Sequence, residues 1–270
     1  MTENKQPFSS IAKNGEEVRR IKKWQRVIPP VIGVIVMLLV LVYIFSLLFN
    51  RYGSFTISVK DFADRKYSLT LSETASFKRT TSRLNAAAAN DITNISYKNI
   101  PKDVNDVDGA HNGENYLAYT FYLKNSGEET CNYRYSIIIS KATSGIDAAA
   151  RIRVYYNEDF YKSATDEFNY SGDFVDYAKP KTGGNGEPET DKENRTMTNF
   201  ESEHLIVKKD VDNFASGDVA KITVVIWLEG DDPDCVDDIL GGQLKIDMVM
   251  EILGGSDENE SLSANRRNQK

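Results

Sequence analysis

The sequence predicts a mainly β protein: an antiparallel two-sheet sandwich, jelly-roll-like, preceded by one transmembrane α-helix. Three observations lead there. Residues 31–50 carry no charge at all. Beyond them, apolar residues recur at every second position rather than every third or fourth. About eight or nine such short stretches follow with no long helical pattern between them, which implies two packed sheets rather than alternating βαβ units.

The N-terminal element comes first. Val31 to Phe49 reads VIGVIVMLLVLVYIFSLLF, and Val27 and Ile28 extend the apolar run through Pro29 and Pro30. At about 1.5 Å per residue this reaches across a hydrocarbon core of about 30 Å. The prolines sit where a helix starts and a missing N–H costs little. Arg19, Arg20, Lys22, Lys23 and Arg26 crowd the N-terminal flank, so residues 1–26 are expected in the cytoplasm, 27–49 in the bilayer and 50–253 outside the cell. Trp24, Tyr43 and Tyr52 suit the two interfaces. A cleaved signal peptide is the competing reading. The basic region before the apolar run is long for one, and no small-x-small site follows Phe49, which favours an uncleaved anchor.

The outer domain then reads as strands. Phe55, Ile57 and Val59 alternate with polar residues, as do Tyr67, Leu69 and Leu71. Leu117, Tyr119, Phe121 and Leu123 share one face, and so do Tyr133, Tyr135, Ile137 and Ile139. Further strands are expected near 92–99, 151–156, 204–208, 220–229 and 243–252. Asn125-Ser126-Gly127 separates two of the stretches and predicts a hairpin, with Gly127 supplying a positive φ. Residues 179–195 are rich in Gly, Pro and charge and read as an exposed loop. Residues 254–270 read as a disordered tail.

Chemistry-bearing residues are sparse. The formal net charge is −7 although residues 1–30 are basic, so the outer domain is acidic; this does not suit nucleic acid, whose phosphates need basic patches. No G-x-x-x-x-G-K or G-x-G-x-x-G occurs, so nucleotide binding has no support. His111 and His204 form no H-E-x-x-H, and no G-x-S-x-G marks a nucleophile, so no catalytic residue is assigned and no enzyme activity is expected. The sharpest local feature is residues 229–238, with six carboxylates within ten residues. Oxygen-rich clusters suit Ca²⁺, and Asp231, Asp232, Asp234, Asp237 and Asp238 are the candidate ligands, although the spacing is not that of an EF-hand. The alternative is a solvated turn. A second loop, with Asp103, Asn105, Asp106, Asp108, Asn112 and Glu114, is similarly rich in oxygen, and Asx-rich turns are common without metal. Cys131 and Cys235 both fall in the outer domain. Paired, they would close a long loop worth about 4–5 kcal/mol by the chain-entropy model; otherwise they are two unrelated thiols.

Three stretches, SLTLSETASF (68–77), NYLAYTFYLKNSGEETCNYRYSIII (115–139) and ITVVIWLEGDDPDC (222–235), resemble exported or membrane-anchored β-sandwich proteins of Gram-positive bacteria. More distantly, a strand followed by LKNSGEE and a second strand is similar to the TasA/camelysin-type secreted matrix proteins. That resemblance implies a jelly-roll fold and a place in cell-surface and biofilm fibres. This chain departs from the group in its hydrophobic segment, which reads as uncleaved, and in its long N-terminal segment. The expectation is a membrane-anchored cell-surface structural or interaction protein. Its partners would be the lipid bilayer and either another protein or a second copy of itself. A calcium- or ligand-binding surface sensor is the alternative, and a secreted matrix-fibre subunit is the third reading if the segment is cleaved.

Overall fold

The structure, a computed structural model, describes residues 28–44, 54–60, 66–87, 89, 91–157 and 174–255. The chain divides into two compact units, Met1–Arg51 and Tyr52–Lys270.

The described part of the first unit is one helix, α1, residues 28–44. Its apolar side chains, from Ile28 and Val31 to Tyr43 and Ile44, are exposed all round. As described it measures about 25 Å. Among the described residues no helix is long and apolar enough to cross a membrane. The span expected over 27–49 is therefore not carried by α1 as described. Phe49, Trp24, Tyr52 and the basic flank Arg19, Arg20, Lys22, Lys23 and Arg26 lie outside the described residues, as does the expected tail beyond residue 255.

The second unit is mainly β. Its strands are β1 (Phe55–Val59), β2 (Leu69–Ser72), β3 (Arg83–Asn85), β4 (Gly109–Ala110), β5 (Tyr116–Asn125), β6 (Cys131–Ala142), β7 (Ala150–Asn157), β8 (Phe174–Ala178), β9 (Thr198–Asn199), β10 (Leu205–Phe214), β11 (Val219–Leu228) and β12 (Leu244–Gly255). One sheet has five strands in the order β10-β6-β12-β1-β3; the other has seven, in the order β2-β5-β11-β7-β8-β9 with β4 also on β5. The period-two pattern places β1, β2, β5, β6, β7, β10, β11 and β12 as expected. The inner faces of both sheets share one apolar cluster: Phe55, Ile57, Tyr133, Ile137, Ile246 and Met248 from the first sheet meet Leu117, Tyr119, Phe121, Ile152, Ile222 and Val224 from the second. The Phe55 and Tyr119 rings meet edge to face at 6.4 Å across this core.

Four expectations need correction. The sheets are mixed rather than antiparallel throughout, because β1 pairs parallel with β12 and β9 parallel with β8. Residues 92–99 form no strand: Tyr97–Asn99 is a single 3-10 turn, and Ile95 makes only an isolated bridge to Glu229. Asn125-Ser126-Gly127 is not a hairpin, since β5 and β6 lie in different sheets. Asn125 is fully buried there and ties the crossover, with its Nδ2 donating to the carbonyls of Glu129 and Phe214 at 2.9 and 2.8 Å. Gly127 is needed for close approach rather than for a positive φ, because a Cβ would lie 2.5 Å from the Lys66 carbonyl and 2.7 Å from the Ser68 amide. Residues 179–195 are not simply exposed. Asp191 Oδ1 accepts the Glu193 and Arg195 amides at 2.9 and 2.8 Å, Thr190 bridges Thr196, and Glu189 is buried.

One feature of the second sheet positions the candidate site. β11 reads VAKITVVIWL and is buried along nearly its whole length, so both faces of this strand are covered. Ile222, Val224 and Ile226 point to the shared core, whereas Val225 and Trp227 pack outward with Ile100, Val104, Ala118 and Tyr155.

Candidate functional site

The outer face of the seven-stranded sheet carries the densest polar chemistry among the described residues. On β7 the order Arg151-Ile152-Arg153-Val154-Tyr155 sends Ile152 and Val154 to the core and the two arginines and Tyr155 to the other face. Arg151 and Arg153 are only 2% and 6% exposed, so each buried charge requires a partner. Asp176 of β8, opposite Arg153 in the ladder, accepts its Nε at 2.6 Å and its Nη2 at 2.9 Å. Burial alone would lower the Arg153 pKa, but the Asp176 carboxylate outweighs that and holds it above its ordinary value. Arg195, from the 189–197 hairpin, reaches the same carboxylate at 2.6 Å. The two guanidiniums alternate with aromatic rings: Arg153 lies 3.7 Å from the Phe174 centroid and 5.5 Å from that of Trp227, and Arg195 lies 4.5 Å from that of Tyr97.

An open cleft of about 760 Å³ lies over this ladder, between the segment 97–106 and the 189–197 hairpin. Arg153 and Tyr155 line it together with Asn105, Phe174 and Arg195. Asn105 is 3% exposed; its Oδ1 accepts the Thr223 hydroxyl at 2.6 Å, and its Nδ2 finds no acceptor among the described residues. Arg195 Nη2 is likewise buried without an acceptor. The cleft's described lining joins aromatic rings (Tyr97, Tyr155, Phe174) to charged side chains of both signs (Lys98, Lys102, Arg153, Arg195, Asp106, Glu193), which offers stacking and ionic contacts.

The acidic loop adjoins this face, and its carboxylates are dispersed rather than gathered. Asp231 is salt-bridged to Lys192. Asp232 is buried against Arg151, and its Oδ1 accepts the Asp234 amide at 2.7 Å. Asp234 Oδ2 accepts the Thr182 hydroxyl at 2.7 Å. Asp237 and Asp238 stand exposed on a separate 3-10 turn, Asp237–Ile239. Of the five expected ligands, only Asp232 and Asp234 come together, and a third residue joins them. One carboxylate oxygen from each of Glu189, Asp232 and Asp234 lies within 4.8 Å of the other two. Burial, and then the neighbouring Asp232 charge, raise the Glu189 pKa against the opposing pull of Arg151 and Lys181. No motif marked Glu189, whose neighbours are glycine, proline and charge; the Arg-x-Arg of β7, two cations on one face of an expected strand, was the legible signal.

The second oxygen-rich loop acts as pegs. Asn112 Oδ1 caps the Ala118 amide at 3.1 Å, Asp108 accepts the Tyr122 hydroxyl at 2.6 Å, and the His111 ring nitrogens lie 2.8 and 2.7 Å from the Gly109 and Val104 carbonyls. Cys131 and Cys235 are free thiols. Cys131 starts β6 inside the main core, and Cys235 packs with Leu244, which pairs with Ala142 at the other end of β6. Roughly 35 Å of strand separates those ends, so the pairing is not made. No family model, curated protein or solved structure gives a significant match to the chain.

Proposed function

We propose that this chain is a membrane-anchored surface protein whose β-sandwich presents the outer face of its seven-stranded sheet to a partner or ligand. The observation that carries the reading is α1. A helix apolar on every side, with those side chains exposed, is stable only where something apolar covers it, and its sequence continues uncharged to residue 50. The basic cluster at residues 19–26 then sets the N-terminus in the cytoplasm and the sandwich outside. Self-assembly into fibres has less support. The five-stranded sheet ends on β3, only three residues long, and on β10, which carries Lys208, Lys209, Asp210 and Asp212; short and charged edges oppose edge-to-edge pairing.

Alkaline carbonate washing of membranes from expressing cells tests the anchor. The full-length protein should stay in the pellet, and replacing four apolar residues of 31–44 by lysine should release it. Release of the unaltered protein would refute the reading.

A further inference from the structure

Glu189 is the least explained ionisable group on the outer face. It is 6% exposed, and its carboxylate receives no hydrogen bond or ion pair among the described residues. Arg151 spends its Nη1 on the carbonyls of Ala148 and Ala150 and its Nη2 on Asp232, and its Nε, buried without an acceptor among the described residues, makes no hydrogen bond to Glu189. A buried carboxylate needs a donor, a proton or a cation. Instead, Glu189 leaves the 189–197 hairpin and enters the acidic loop, against Asp232 and Asp234. Thr182 and Arg151 orient those two carboxylates from behind, as groups around metal ligands do.

We propose that Glu189, Asp232 and Asp234 bind a divalent cation, calcium, which clamps the 189–197 hairpin to the acidic loop beside the cleft. Ligand oxygens no more than 4.8 Å apart fit around one ion with metal–oxygen distances of about 2.3–2.6 Å. Three carboxylates give three to six of the oxygens that calcium takes, and waters complete the shell. Ligands drawn from two irregular loops suit calcium's tolerant coordination better than the strict octahedron of magnesium. The same hairpin carries Glu193 and Arg195 into the cleft wall, so the ion would fix the shape of the binding face. The proposal deepens the surface-display reading and rests on it for the supply of calcium outside the cell.

The test uses full-length protein in detergent, freed of metal with a chelator, and thermal unfolding with added CaCl₂ or MgCl₂. Millimolar calcium should raise Tm by about 3–8 °C, and magnesium by much less. Glu189→Gln keeps the side-chain shape; it should abolish the calcium rise and raise the Tm of the metal-free protein by relieving repulsion. Asp237→Asn with Asp238→Asn should leave the rise intact. The proposal is overturned by no rise in the unaltered protein, by an equal rise with magnesium, or by a rise that survives Glu189→Gln. Carbonate washing of the cell membranes before detergent extraction reports on the anchor separately, so the two readings fail independently.

Discussion

Replacing Asp176 by alanine removes the acceptor on which the outer face turns. Asp176 and Arg153 are each 6% exposed, and Arg153 spends both its Nε and its Nη2 on this carboxylate. Phe174 and Trp227 flank the guanidinium, so water does not readily replace the lost acceptor. Arg195 loses one contact but keeps Asp191, whose Oδ2 accepts its Nε at 3.0 Å. The dominant cost is one abandoned buried charge, about 3–5 kcal/mol. For a domain of this size that corresponds to a fall in Tm of about 6–20 °C. Urea unfolding followed by tryptophan fluorescence is suitable, because Trp227 sits beside Arg153. The double variant Arg153→Met with Asp176→Leu should recover most of the loss, since an apolar pair of similar volume often replaces a buried ion pair at little cost. A loss below about 1 kcal/mol for Asp176→Ala would refute the reasoning, because a loss that small is typical of solvent-exposed ion pairs.

Two further outcomes are expected. Burial pushes the Cys131 thiol up to about 11 and places it inside the core, so alkylation of the native protein should modify Cys235 alone, with Cys131 reacting only after denaturation; mass spectrometry of the intact chain counts the adducts. The Arg134 hydrogen bonds across β6 and β10 hold the Asp210 carboxyl below its ordinary value. Its contribution is therefore present above the unfolded carboxylate pKa, about 3.9, and is lost as pH falls through the lower folded value. The pair is half-exposed, so Arg134→Ala should cost at most about 1 kcal/mol at pH 7, and the gap in urea midpoints should narrow as pH falls below the unfolded carboxylate value of about 3.9; a gap that does not change with acidification contradicts the assignment.

β1, β5, β6 and β12 were legible because their large apolar residues recur with period two, as Phe55, Tyr119, Ile137 and Met248 show. The outer face was not, because its chemistry depends on which loops cover the sheet. The partners that bury Arg151 and Arg153, Asp232 and Asp176, are distant in sequence, so the strand's own pattern does not name them. Glu189 sits in a stretch whose composition resembles solvated loops, yet Asp191 ties the local turn closed and carries it inward. The acidic loop itself was visible, but the partner that completes its cluster belongs to another segment. The expected hairpin failed because Asn125 and Gly127 serve close packing at a crossover, a role with the same residue types as a tight turn.

Protease treatment of intact cells expressing the protein with a C-terminal tag tests the anchored outer domain most directly. Loss of the tag, with an N-terminal fragment retained in the membrane, is the expected result. A tag that stays protected until the cells are lysed would contradict the surface-display reading, and a full-length tag in the medium would contradict the anchor.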